Sequence, residues 1–184
     1  MAGWDFPTSF TYRYQTWEIR SDFRAVLDVM EVLADDTITD EERAYVALSV
    51  VYINYDPAQM DEETNRAALT WMQWFIRGGV EDDKATGPRV MDWDQDFRLI
   101  APPVNRVLGS ECRSAAYLHW WTFLGAYLEI GDCYFAQVVS IRSKKVKGKK
   151  LDKSDQDFYN RHRQDIDLRR EITDADMDVI NEWI

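Results

Sequence analysis

The apolar residues of this 184-residue chain recur at intervals of three and four over most of its length. That spacing places them on one face of an α-helix, and several such stripes follow one another, separated by glycine, proline or charged residues. The pattern predicts an all-α fold, a compact bundle of about seven or eight helices. The clearest stripes are Phe23, Val26, Leu27, Met30 and Leu33, then Ala68, Trp71, Met72 and Phe75, and then Tyr117, Trp120, Trp121, Leu124 and Leu128.

The first 20 residues differ, because apolar and polar residues alternate there. The alternation runs through residues 10–14 and 17–19, and a period of two is typical of extended chain. It predicts a short extended N-terminal segment or hairpin. A lone hairpin is only marginally stable in water, so we expect this one to pack on the helices or on a partner.

Two kinds of local signal predict where helices begin and break. Ser21 stands where an N-cap would open the first helix, and Thr39 with Glu42 forms a capping box that opens the second. Pro102 and Pro103 interrupt a later helical stripe. Because proline removes a backbone N–H and clashes with the preceding turn, we expect two short helices or a kink at that point.

The apolar pattern also predicts the domain organisation. Residues 1–150 carry dense apolar stripes and are expected to form a single helical domain, with a flexible, charged loop at residues 80–89. In residues 151–184 the stripes are thin, although residues 173–176 resemble a capping box that opens a last helix. We expect this part to be a C-terminal helical extension, either mobile or docked on a partner.

The charge is distributed unevenly. The chain has a net charge of -11, but residues 142–153 carry seven basic side chains against one acidic one, so that the rest of the chain is strongly acidic. This basic run has three interpretations. It is the solvated end of a helix, a docking surface for an acidic partner or another subunit's acidic face, or, least favoured, a nucleic-acid contact that lacks interleaved aromatic residues.

The sequence contains no constellation of residues that predicts catalysis, and we expect no cofactor or metal. Cys112 and Cys133 have no CxxC spacing, and His119 has no nucleophile in a Gly-flanked turn nearby. The carboxylates of residues 92–96 alternate as in a calcium loop, but Phe97 stands where that loop needs glycine. Without a signal peptide or an apolar run of about 20 residues, we expect a soluble intracellular protein.

Three stretches of the sequence stand out: WEIRSDFR at residues 17–24, DWDQDFRLI at residues 92–100 and, above all, YLHWWTF at residues 117–123. They resemble the phage "gene product fifteen" family of long-tailed phages and prophages, mostly of Gram-positive bacteria. The resemblance continues through residues 130–142 and covers roughly residues 17–150. It implies that the shared His-Trp-Trp residues are structural and that no enzymatic activity is carried over.

The resemblance further implies a tail-module protein. The expected function is that of a tail assembly chaperone, which binds the tape measure protein, and the major tail protein as a further candidate partner, in the host bacterial cytoplasm. The alternative is a structural tail completion or connector protein retained in the virion. A nucleic-acid-binding regulatory protein is the third, less favoured hypothesis.

Surface aromatic and basic residues are the candidate partner-binding residues. Trp71 and Trp74 are three apart on one predicted helix, so that one can face the core while the other reaches the surface. The basic run could also meet the acidic face of the next subunit, which would stack copies head to tail. The candidates are Trp71, Trp74, Arg142, Lys144, Lys145, Lys147, Lys149 and Lys150.

Overall fold

The computed structural model describes residues 5–81 and 89–169. Residues 82–88 of the loop predicted at 80–89, and the last helix predicted from residue 173, lie outside the described residues. Within these residues the protein contains one hairpin, eight α-helices and two short 3-10 turns. The elements are β1 (Ser9–Tyr12), β2 (Gln15–Glu18), α1 (Phe23–Ala34), α2 (Asp40–Val51), a 3-10 turn (Pro57–Gln59), α3 (Glu62–Ile76), α4 (Trp93–Leu108), a 3-10 turn (Cys112–Ser114), α5 (Trp120–Leu128), α6 (Tyr134–Val146), α7 (Lys153–Arg161) and α8 (Arg163–Ile166).

The fold is therefore mostly α, as predicted, with a small antiparallel sheet rather than helices alone. β1 and β2 form the predicted hairpin, in a register that sets Phe10 opposite Trp17. Both of these side chains are buried against the helices. At the tip, Arg13 pairs with Asp61 and Glu63 and so ties the hairpin to the start of α3.

Aromatic rings fill the centre of the helical body. The Phe23 ring of α1 stacks on Phe123 of α5 with 4.5 Å between centroids, and Trp120 is completely buried beside them. α1 packs on α2, α4 and α5, while α3 packs on α2 and on β1. The hairpin and the first six helices thus share one continuous hydrophobic core.

The helix starts follow local chemistry, with one difference from the prediction. The Thr39–Glu42 capping box is present at the start of α2. The N-cap of α1 is Asp22 and not Ser21, because the Asp22 carboxylate accepts hydrogen bonds from the backbone N–H groups of Arg24 and Leu118, each at 3.0 Å. Ser21 lies 2.8 Å from the Tyr117 hydroxyl instead. Asp22 therefore caps α1 and fixes the chain just before α5.

Of the two alternatives expected at Pro102 and Pro103, the division into two short helices is wrong, since α4 continues through both prolines. Each proline removes one hydrogen bond inside a helix and costs about 3 kcal/mol in an unsupported position. Here the helix is held by its packing: Ile100, Ala101 and Val104 are buried without exposed area, and Pro103 is buried with them. Tertiary contacts of the buried face outweigh the local preference.

A buried ion pair joins α4 to α6, and the arginine of this pair also bonds to α8. The Arg142 guanidinium donates to both Asp96 carboxylate oxygens, at 2.6 and 2.8 Å, and neither side chain is exposed to solvent. The remaining N–H groups of Arg142 donate to the backbone carbonyls of Val90, Asp165 and Ile166. Every N–H group of the guanidinium thus donates a hydrogen bond to the protein, as a buried charge requires.

The same region has its own small apolar cluster, made by Val138, Ile141, Phe158 and Ile166. α8 packs on α6 and on α7. Residues 153–169 therefore lie against the helical body of their own chain.

Replacing Asp96 by Ala is expected to lower the free energy of unfolding by about 3–5 kcal/mol, because it leaves the buried Arg142 charge without its partner. Urea denaturation monitored by circular dichroism measures the loss. Asp94→Ala is the matched control: it lies on the same turn, but its side chain is 77% exposed, so a change within about 0.5 kcal/mol is expected. Equal losses for the two variants would contradict this account.

Candidate functional site

An open groove of about 770 Å³ runs between the hairpin and α3. Its floor is apolar and aromatic, whereas its rim is charged and polar. Phe10 and Tyr12 come from β1, and the helix supplies the opposite wall. The lining residues are Phe10, Tyr12, Glu63, Arg66, Ala67, Thr70, Trp71, Gln73, Trp74, Arg77, Val80 and Glu81.

Both tryptophans expected at a partner-binding surface line this groove. Trp71 is half-buried, with its ring stacked on Phe75 and 5.8 Å from Phe10 between centroids. Trp74 is also half-buried and lies 5.4 Å from Trp71. Each indole therefore has one part fixed in the core and another part exposed to the groove, which gives the floor a rigid aromatic surface.

The His-Trp-Trp stretch holds the end of α3 that carries these indoles. The indole N–H of Trp120 donates to the backbone carbonyl of Ile76 at 2.9 Å, and that of Trp121 donates to the carbonyl of Phe75 at 2.8 Å. The Trp121 ring also meets Trp74 edge to face. Carbonyls at a helix C-terminus lack intrahelical donors. Here the two indole N–H groups donate to two such carbonyls.

Gly79 is required where the chain leaves α3. Its φ of +85° is a left-handed conformation, and a Cβ atom added there would lie 2.8 Å from the Trp121 ring. Only glycine meets both conditions without strain. The chain can thus turn directly over the indole and continue to Val80 on the groove wall.

His119 has a structural role, as the sequence indicated. Its Nδ1 accepts the backbone N–H of Trp121 at 3.0 Å and caps α5, while Nε2 lies 3.2 Å from the Pro7 carbonyl. A carbonyl can only accept, so Nε2 carries the hydrogen and the ring is neutral. Burial lowers the pKa of His119, which favours the same neutral form. The Phe6 ring stacks on it at 4.3 Å.

The charges at the groove rim are balanced in sign. Glu63 and Glu81 are acidic, and Arg66 and Arg77 are basic. The Tyr12 hydroxyl donates to Glu63 at 2.7 Å, and this hydrogen bond is the main reason that the pKa of Tyr12 is raised. The rim therefore offers bonding groups of both signs beside an apolar floor.

The basic run does not contribute to the groove, and its members differ in environment. Arg142 must be removed from the predicted surface, because it is buried in the ion pair with Asp96. Lys144 pairs with Asp155 and Lys145 pairs with Asp167, both at 2.5 Å. Lys145 is exposed but paired, whereas Lys147, Lys149 and Lys150 are exposed and form no ion pair within residues 5–81 and 89–169.

The acidic stretch at residues 92–96 and the two cysteines are the other residues considered from the sequence for a metal or catalytic site. Asp92 caps α4 by accepting a hydrogen bond from the backbone N–H of Gln95, and Asp96 pairs with Arg142. These two carboxylates therefore stabilise the folded chain. Across residues 5–81 and 89–169, no group of three or more His, Cys, Asp or Glu side chains could hold a metal ion. In the same ranges both cysteines are free thiols, Cys112 buried and Cys133 half-buried.

No α-helix among the described residues has the length and apolar character needed to cross a membrane.

The sequence predicts the aromatic residues on one wall of the groove, but it does not predict the residues that form the other wall. Trp71 and Trp74 could be identified from helical spacing alone. The alternation in β1 places Phe10 and Tyr12 on one face, but nothing local to residues 10–12 indicates that this face lies against α3. That contact joins residues more than 50 positions apart.

The neutral His119 predicts a specific pH dependence of stability. Because burial lowers its pKa, the unfolded chain binds the proton more readily, and stability falls as the pH decreases below the ordinary histidine pKa of about 6.5. His119→Asn keeps a capping side chain but cannot titrate. The difference in unfolding free energy between the wild type and this variant should shrink between about pH 7.5 and about pH 5. Urea titrations of both proteins test this, and a difference that is constant with pH would contradict it.

Comparison with known proteins identifies the family. The family described as Bacteriophage Gp15 protein matches residues 5–96, which include the hairpin and α1 to α3 with the whole groove. The WEIRSDFR stretch lies inside that match, and the YLHWWTF stretch lies outside it. No curated protein and no solved structure matches the chain. The match confirms the predicted family over residues 17–96 of the expected 17–150, and the chain, a phage structural or morphogenesis protein, belongs to the bacteriophage Gp15 protein family.

Proposed function

We propose that the protein is a phage tail assembly chaperone, without catalytic activity, that holds an amphipathic helix of the tape measure protein in the groove between the hairpin and α3. The observation that carries the proposal is the aromatic floor formed by Trp71 and Trp74. Tryptophan is enriched among the residues that dominate binding energy at protein interfaces. Family membership supports a role in building the phage particle.

The dimensions of the groove suit a helix. The groove follows α3 from Glu63 to the C-cap residue Arg77, 14 positions further along, which corresponds to about 21 Å at the α-helical rise. That length equals about four turns of a partner helix. A helix bound along α3 would place apolar residues at intervals of three and four against the indoles, which is the usual form of helix-in-groove recognition.

The charges at the groove rim restrict which charged residues a bound helix can carry. Because it carries two acidic and two basic side chains, it complements a helix whose apolar stripe is flanked by residues of both charges. A uniformly charged segment would meet like charges at half of the rim positions, and such contacts are unfavourable. The proposal therefore selects amphipathic helices of mixed charge.

Thr70→Glu is expected to weaken binding of a tape measure fragment at least tenfold, about 1.4 kcal/mol, because it places a charge beside the aromatic floor. Thr70 is exposed, and its hydroxyl bonds to the carbonyl four residues before it. Ser49→Glu is the matched control, since Ser49 is an exposed helical residue with the same bond to Tyr45. Pull-down of the co-expressed fragment, followed by titration calorimetry, measures both.

The control is expected to bind as the wild type does. If Thr70→Glu binds the fragment normally, the groove is not the tape measure site. If the wild type itself fails to bind any tape measure fragment, the chaperone function is wrong.

Mass spectrometry of purified phage particles separates the proposed function from its structural alternative. An assembly chaperone is expected to be absent from finished particles or present far below the level of the tail tube subunit. Stoichiometric presence would instead favour a tail completion or connector protein.

A further inference from the structure

The end of α6 presents three cations on an ordered turn. Gly148 is in a left-handed conformation at φ +64°, and the N–H groups of Gly148 and Lys149 donate to the carbonyls of Lys145 and Lys144. This closes the helix with a Schellman-type turn. Hydrogen bonds therefore fix the backbone of this turn, from which Lys147, Lys149 and Lys150 extend.

This turn also has an apolar element. Val146 is 53% exposed beside the lysines. No carboxylate pairs with Lys147, Lys149 or Lys150 within residues 5–81 and 89–169, in contrast to Lys144 and Lys145. We refer to Val146, Lys147, Lys149 and Lys150 as the basic tip.

The exposed side of α2 has the opposite charge and the same mixed character. Asp40 and Glu41 lie in its first turn, and Asp36 lies just before it. Tyr45 and Val46 are 39% and 42% exposed one turn further along. We refer to these five residues as the acidic face. Arg43 pairs with Asp36 and Asp40, so a net negative charge remains.

The two surfaces lie on different helices of the body. α2 packs on α1, α1 on α4, and α4 on α6. Within residues 5–81 and 89–169 of one chain, no lysine of the basic tip pairs with a carboxylate of the acidic face. A second copy can present the missing complement.

We propose that the basic tip of one copy binds the acidic face of a second copy. The contact pairs Lys147, Lys149 and Lys150 with Asp36, Asp40 and Glu41, and it covers Val146 together with Tyr45 and Val46. Because the two surfaces differ, the interface is heterologous and leaves a free tip and a free face at the ends. Copies then add head to tail. The inference goes beyond tape measure binding and does not depend on it.

Sedimentation velocity of the full chain at low and high salt tests the proposal. Mass is expected to increase with concentration at low salt, and the increase is expected to be lost at high salt because exposed charges are screened. A wild type that stays monomeric at every concentration would overturn the proposal. Self-association that is insensitive to salt would overturn it as well.

Charge reversal separates the specific contact from the effect of net charge. The tip variant is K147E/K149E/K150E and the face variant is D36K/D40K/E41K; each is expected to self-associate at least tenfold more weakly than the wild type. The face variant brings the net charge of -11 closer to zero, which by itself would favour association. Its loss of association therefore requires the specific contact.

Mixing the two variants is the decisive measurement. The reversed tip of one variant complements the reversed face of the other, and their unchanged surfaces also complement each other. An equimolar mixture is expected to associate as the wild type does, and a mixture that remains monomeric would overturn the proposal. Circular dichroism confirms that each variant is folded.

Two further measurements distinguish this contact from a general charge effect and from nucleic-acid binding. The variant R113E/R161E/R163E reverses three exposed arginines outside the groove and both proposed surfaces. It is expected to self-associate within twofold of the wild type; a tenfold loss would mean that overall charge governs association. A duplex DNA oligonucleotide is expected not to bind the basic tip. DNA binding that the tip variant abolishes, in a protein that does not self-associate, would overturn the proposal in favour of a nucleic-acid contact.

Discussion

The groove depends on how the end of α3 is held. A helix C-terminus leaves carbonyl groups without intrahelical donors, and in this protein the carbonyls of Phe75 and Ile76 receive the indole N–H groups of Trp121 and Trp120. These bonds fix α3 to α5 across 44 to 46 residues of sequence. Because Trp71 and Trp74 lie on the last turns of α3, the same bonds fix the aromatic floor. The His-Trp-Trp stretch thus acts on the groove without lining it.

His119 connects this clamp to the hairpin that forms the other wall. Through Nδ1 it caps α5 and orients the two tryptophans, and through Nε2 it bonds to Pro7 just before β1. The neutral ring therefore adds a link between the two sides of the groove to the Arg13 ion pairs and the Phe10–Trp71 contact. The groove is built in advance by core contacts, which reduces the entropy lost when a partner binds.

Local patterns predicted most of the elements, and long-range contacts account for what they missed. The helical stripes, the hairpin and the Thr39 capping box each depend on neighbouring residues, and each was predicted. The Asp96–Arg142 pair joins residues 46 positions apart, so Arg142 looked like one of a run of surface cations. The two short helices expected at the prolines of α4 were wrong for the same reason, because the burial of the neighbouring residues is not visible in the sequence. In the groove, Trp71 and Trp74 could be found by spacing, but the opposing wall could not.

The two proposed contacts use different parts of the molecule and are compatible for a physical reason. The groove lies between the hairpin and α3, whereas the basic tip and the acidic face lie on α6 and α2. A copy that holds a helix in its groove therefore keeps its basic tip and its acidic face open for neighbouring copies. Since head-to-tail contacts add subunits without closure, successive grooves would be presented along one long partner. Many weak groove contacts would then act together, and the avidity would come from the repeat and not from any one site.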